Sequence, residues 1–176
     1  MPTLAADTSF LLVIDFQARL MPAIDRGADT VANTRRLLDA AALFEVPVLF
    51  TEQNPDGLGT TVPELAGDHP VFHKMTFDAV RTPGFLDRIP PGREVVVAGC
   101  EAHVCVLQTV LGLLDAGRRV QVVSDAVGSR RPENKAAGLQ RMERHGAGIV
   151  TTEMAVFEWL GSAGHPRFRE AIRLIK

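Results

Sequence analysis

The 176-residue sequence predicts an α/β fold: three layers, with a six-stranded, mostly parallel sheet and helices on both of its faces. Three observations carry this expectation. Short apolar runs alternate with helical spacing almost throughout the chain. The runs lack the apolar–polar alternation of a half-exposed strand, so both of their faces must be covered. No repeat, linker or low-complexity segment interrupts the alternation, so residues 1–176 are expected to form one domain.

The first strand is SFLLVI at 9–14, closing on Asp15. Pro22 marks a loop, and Asp29 or Thr30 can cap a helix reaching about Phe44, with Val31, Leu37, Leu38, Ala41 and Leu43 on its apolar face. Residues 47–50 form the second strand, followed by Thr51, Glu52 and Gln53. Residues 54–61 (NPDGLGTT) are dense in turn formers and read as a loop, and 62–65 as one helical turn. Residues 71–73 form a short third strand ending at Lys74. Pro83 opens a short helix to about Ile89, which Pro90, Pro91 and Gly92 break. Residues 94–98 form the fourth strand, and about 103–116 its helix, stopped by Gly117. Residues 120–123 form the fifth strand, ending at Ser124 and Asp125; 132–145 is helical, and 148–150 is the sixth strand. Thr152 can cap a helix through Trp159, and 166–175 is the last helical segment.

Composition narrows the function. An apolar fraction of 46% with 23% charged residues is that of an ordinary globular chain. The net charge of −2 leaves no electrostatic footprint for nucleic acid or an anionic membrane. No apolar run approaches the ~18 residues of a membrane span, and MPTLAADTSF lacks the basic and apolar regions of a signal peptide. Two cysteines five positions apart cannot build a disulfide framework, so both are expected to be reduced, in the cytoplasm.

The chemistry concentrates in VVVAGCEAHVCV, residues 95–106: a buried strand, a tight turn, and Cys105 in the first turn of a helix. A helix start carries free N–H groups and partial positive charge, and is expected to ease loss of the thiol proton. Ligands in open α/β sheets bind outside the carboxyl ends of the strands. Asp15, Lys74 and Cys105 all fall there, after the first, third and fourth strands. They supply a base, a charge stabiliser and a nucleophile. Taken singly, each has a plainer role: a packed cysteine, a capping aspartate, a solvated lysine. Cys100 continues the apolar strand and is the better core residue. Phe16, Gln17, Phe77 and His103 are candidate pocket residues, and Glu52 and Gln53 can contact substrate or cap the loop.

LLVIDFQ at 11–17, FHKMTFDA at 72–79, VAGCEAHVCVLQT at 97–109, SDAVGSR at 124–130 and TTEMAVFEWL at 151–160 together resemble the isochorismatase-like cysteine hydrolases, over nearly the whole chain. The resemblance implies the Rossmann-like isochorismatase fold and an Asp-Lys-Cys triad at Asp15, Lys74 and Cys105. It also implies a non-proline cis peptide between Cys100 and Glu101, with an oxyanion hole from the N–H groups of Glu101 and Cys105. The implied reaction is hydrolysis of a C–N, amide-type bond in a small molecule through a thioester on Cys105. Nicotinamidases of the family carry an Asp-x-His metal cluster after the second strand. Here TEQNPDGLG stands in its place, and His69 and His73 have no partner at ligand spacing, so neither metal nor cofactor is expected. Ala102 stands where many relatives have threonine. Glu101 and the TEQ segment are most similar to isochorismatase-domain proteins of unassigned substrate. A homo-oligomer is expected, with Phe157, Trp159 and Leu160 available to cover a neighbour; these residues can equally close the chain's own core. Two alternatives stand beside the cysteine hydrolase: a non-covalent vinyl-ether hydrolase, and a catalytically silent binding or structural oligomer. A dinucleotide site is not expected, since no G-x-G-x-x-G follows the first strand.

Overall fold

A computed structural model describes residues 3–176. Six strands, β1 (Ser9–Ile14), β2 (Val48–Gln53), β3 (Val71–Lys74), β4 (Glu94–Cys100), β5 (Val120–Gly128) and β6 (Gly148–Val150), form one sheet in the order β3-β2-β1-β4-β5-β6. Every strand pairing in it is parallel. The order reverses direction between β1 and β4, and this switch point is where open α/β sheets form their ligand crevice.

Helices cover both faces. Alternate residues of β1 and β4 (Leu11, Val13, Val96, Ala98, Cys100) pack with α1 (Gly27–Leu43), α5 (Thr152–Leu160) and α6 (Phe168–Ile175). The intervening residues (Phe10, Leu12, Ile14, Val95, Val97) pack with α3 (Leu107–Asp115) and α4 (Pro132–Arg144). Every residue of β1 and β4 is buried, which is why these segments show no alternation in the sequence. Each fully buried Leu, Ile or Val contributes roughly 1.5–3 kcal/mol.

Several boundaries differ from the sequence expectation. The first helix begins at Gly27 behind a left-handed Arg26, and neither Asp29 nor Thr30 caps it. Thr30 Oγ1 instead donates to the Arg26 carbonyl, and Asp29 pairs with Arg26. β2 runs on through Gln53 because β3 supplies a partner ladder, from Phe50 opposite Val71 to Gln53 opposite Lys74. The 54–61 loop contains a helical turn, α2 (Pro55–Leu58), while 62–65 is a hydrogen-bonded turn only. Residues 82–89 form no α-helix. Two 3-10 turns, Ala79–Arg81 and Leu86–Arg88, flank Gly84, whose φ of 82° breaks the run. β5 extends to Gly128 because β4 continues to Cys100 beside it, after a register shift between Val97 and Gly99. Thr151 rather than Thr152 caps α5, accepting from the Met154 N–H, while Thr152 donates to Asp125. Trp159 and Leu160 are spent on the chain's own core, leaving Met154 and Phe157 exposed on that helix.

Gly99 explains how β1 and β4 lie so close beneath the site. Its φ is 155°, and a Cβ there would stand 2.6 Å from both the carbonyl oxygen and Cβ of Ile14. Gly99→Ala is expected to destabilise the fold by about 3 kcal/mol, combining backbone strain with overpacking against main chain. Urea denaturation checks this; a loss below about 1 kcal/mol would show that the strands can part at no cost.

Candidate active site at the carboxyl edge of the sheet

Asp15 is the first residue beyond β1, and its φ of 53° turns the chain sharply out of the sheet. Aspartate tolerates this left-handed conformation better than most side chains. Its N–H donates to the Thr51 carbonyl at 3.1 Å. Thr51 Oγ1 donates to Asp15 Oδ1 at 2.6 Å, and Lys74 Nζ donates to Oδ2 at 2.7 Å. The side chains of Asp15 and Lys74 are both fully buried. A charge-assisted bond of this length in a desolvated setting is strong, and each ion needs the other. Lys74 Nζ also donates to the Thr76 carbonyl at 3.3 Å.

Cys105 lies in a single π-helical turn, Ala102–Val106, between β4 and α3. The Cys100–Glu101 peptide that leads into it is cis. The charges of Asp15 and Lys74 both bear on the Cys105 thiol. Burial nevertheless dominates. It pushes the thiol pKa up to about 12, helped by the negative charge of Asp15, and the positive charge of Lys74 offsets this only in part. This corrects the expectation of an easily lost proton. Desolvation of the sulfur is the largest influence, and it favours the protonated thiol.

The two cysteines face opposite sides of the sheet. Cys100 packs on the α1 face with Val96 and Ala98, and its thiol is pushed up strongly, first by burial. Cys105 packs on the α3 face with Ile14 and Val106. Both are free.

The remaining candidates have mixed placements. Phe16 is wholly buried in the α1-side core, where its side chain packs rather than lining the sulfur. Gln17 is also buried. Its Nε2 donates to the carbonyls of Gln53 and Gly59 at 3.0 and 2.6 Å, and its Oε1 accepts from the Gln53 N–H, so it anchors the 54–61 loop. Glu52 accepts from the N–H and hydroxyl of Thr61 at 2.7 and 2.8 Å and approaches His73 at 3.3 Å, another loop anchor. It lines a cavity of about 150 Å³ with Phe50, Leu65 and His69, on the α1 side. Gln53 Nε2 donates to the Met75 carbonyl. Phe77 is half exposed. His103 Nδ1 lies 3.0 Å from Ser129 Oγ, and its Nε2 lies 3.5 Å from Asn134 Nδ2. The Glu101 carboxylate accepts from the Arg130 backbone N–H at 2.9 Å and from its Nε at 3.0 and 3.1 Å, so this arginine is tied to the turn that carries Cys105. Among the described residues no cluster of three or more His, Cys, Asp or Glu could hold a metal ion.

Two clefts lie beside these residues. One, of about 360 Å³, runs along Lys74, Met75, Thr76 and Thr82. The other, of about 530 Å³, lies against Arg130, Arg131 and Asn134. Sequence reasoning did not single out Thr51 as part of the site. Its position opposite Ile14, one residue before Asp15 on the neighbouring strand, is the signal that could have found it. Gly138 of α4 was also missed: a Cβ there would stand 2.8 Å from the Ala102 carbonyl oxygen, so α4 packs backbone to backbone on the turn that carries Cys105.

Residues 9–154 match the isochorismatase domain family. The chain is similar to human isochorismatase domain-containing protein 2, with 41% identity over 174 residues, covering 96% of this chain and 83% of that one. Among solved structures it is similar to MAR1 ribonuclease from Caenorhabditis elegans, with a TM-score of 0.92 and 37% identity over 98% of this chain and 92% of that one. It is also similar to YcaC from Pseudomonas aeruginosa, solved with hexane-2,5-diol and covalent acrylamide, with a TM-score of 0.87 and 25% identity over 99% and 97% of the two chains. Among the described residues no helix is long and apolar enough to cross a membrane.

Proposed function

The chain belongs to the isochorismatase family of hydrolases, and on that premise we propose that it hydrolyses a C–N, amide-type bond of a small molecule through a thioester on Cys105. One observation carries the reading: the buried Lys74–Asp15 pair, 2.7 Å apart, bears directly on the one cysteine of the α3 face. Asp15 takes the Cys105 proton as the sulfur attacks the carbonyl carbon. A protonated resting thiol suits this order, because no standing thiolate is required. Lys74 stabilises the sulfur as charge develops. The oxyanion accepts from the N–H groups of Glu101 and Cys105. The C–N bond breaks, Asp15 returns its proton to the departing nitrogen, and ammonia or an amine leaves a thioester behind. Water then gives a proton to Asp15 and attacks the thioester carbonyl. The sulfur leaves with that proton, and the carboxylic acid is released. The substrate enters along the Lys74 cleft, past Met75, Thr76 and Thr82.

The covalent acrylamide on the Pseudomonas aeruginosa protein supports a reactive nucleophile on this scaffold. The name ribonuclease belongs to the Caenorhabditis elegans protein. Here the net charge of −2 and the engagement of Lys74 by Asp15 favour a small neutral substrate over RNA. The exposed Met154 and Phe157 support a homo-oligomer, and the two buried free thiols suit a reducing, cytoplasmic setting.

The test is a panel of small primary amides, with isochorismate and an RNA oligonucleotide as further arms. Release of ammonia, with an acyl mass added to Cys105 when the reaction is quenched early, is the expected result. Turnover of isochorismate or RNA that persists without Cys105, with no amide cleaved, would overturn the reading.

A further inference from the structure

We propose that Thr51 is a positioning residue for the general base: its hydroxyl fixes the Asp15 carboxylate so that the opposite oxygen is presented to Lys74 and the nucleophilic sulfur. The proposal rests on the role of Asp15 given above. Asp15 leaves the sheet in a left-handed turn, so the strand ladder does not itself set its side-chain direction. Two donors do. Lys74, from the end of β3, holds Oδ2 at 2.7 Å, and Thr51, from β2, holds Oδ1 at 2.6 Å. Lysine is a flexible donor on a four-carbon stem, able to follow the carboxylate through a rotation. Threonine is stiff at χ1, and Thr51 is fully buried in a strand, so its hydroxyl is the fixed point of the pair. The Asp15 N–H bonds the Thr51 carbonyl as well, so one residue of β2 grips both the backbone and the side chain of the base.

The bond holds the carboxylate without adding a charge to the site. The other titratable groups bearing on this carboxylate are Lys74 from β3, Cys105 from the π-helical turn and Cys100 from β4. Thr51 is the neutral donor among them, and its removal leaves the count of charges unchanged.

The experiment is alkylation of Cys105 by iodoacetamide between pH 4 and 9. The modified sulfur is located by fragmentation mass spectrometry, in wild type, Thr51→Val, Thr51→Ser and Asp15→Asn. For Thr51→Val the expected result is a rate about tenfold lower across the profile. Thr51→Ser, which keeps the hydroxyl, is expected to return the rate to within about twofold of wild type. Two results overturn the proposal while leaving Asp15 as the base: Thr51→Val superimposing on wild type while Asp15→Asn abolishes labelling, or Thr51→Val and Thr51→Ser being equally slow. Should Thr51→Val fail to fold, Thr51→Ala is the second hydroxyl-free variant, judged by the same comparison. If Asp15→Asn itself keeps the wild-type profile, the base has been misassigned, and the role of Thr51 falls with it.

Discussion

Cys105→Ala is expected to lower amide hydrolysis by roughly 10³-fold or more, whereas Cys100→Ala leaves it within a few-fold of wild type. The two thiols sit five positions apart and both are buried, yet they occupy different chemistry. Cys105 shares its side of the sheet with the Lys74–Asp15 pair, which supplies a proton acceptor and a stabilising cation. Cys100 points into the packing between the sheet and α1, where burial pushes its thiol up strongly and the charges of Glu101 and Asp15 add to that. Cys105→Ser should fail almost as badly, because a hydroxyl is far harder to deprotonate than a thiol in the same desolvated position. Initial rates on the amide that the panel identifies, with iodoacetamide labelling at neutral pH, check this. An alanine variant that turned over normally would end the covalent mechanism. Loss of labelling in Cys100→Ala would mean that the other sulfur is the nucleophile.

Lys74→Met is expected to cost the fold about 3–5 kcal/mol in addition to abolishing activity. Both members of the pair are fully buried, and removing the ammonium strands an ionised carboxylate without solvent. It also removes the one neighbour named here that pulls the Cys105 thiol downward, so alkylation should slow at every pH. Asp15→Asn strands the lysine in turn. The double variant Asp15→Asn, Lys74→Met is expected to recover part of the loss, because the residues left behind need no charge partner. Urea denaturation of the two single variants and the double reads out the coupling. Additive losses would mean that the ions do not depend on one another, contrary to their 2.7 Å contact.

Much of this arrangement is legible in the sequence. The three-layer α/β architecture and the β1 and β6 boundaries follow from apolar runs and their flanking turn residues. Ladder partners explain where the boundaries drift. β2 lengthens to Gln53 because β3 lies beside it, and β5 reaches Gly128 because β4 continues to Cys100. The loop anchors Gln17 and Glu52 illustrate a different limit. Gln17 reads as a pocket residue and Glu52 as either a substrate contact or a loop cap, and the hydrogen bonds that decide for loop anchoring run to Gln53, Gly59 and Thr61 across a fold that local pattern does not describe.

The sequence by itself determined that β1 and β4 lie covered on both faces, because an unbroken apolar run is stable only where neither side meets water. It also determined that Asp15, Lys74 and Cys105 fall at one edge of the sheet. Only the tertiary structure decided that two of them, 59 positions apart, meet at 2.7 Å. It alone put Cys100 and Cys105 on opposite faces, brought Thr51 onto the second oxygen of Asp15, and desolvated the Cys105 sulfur, which pushes its pKa up. The reason is physical. Strand burial is encoded in the residues of the strand, whereas the protonation of a thiol depends on how much solvent and which charges surround it, and those charges come from the end of β1 and from β3.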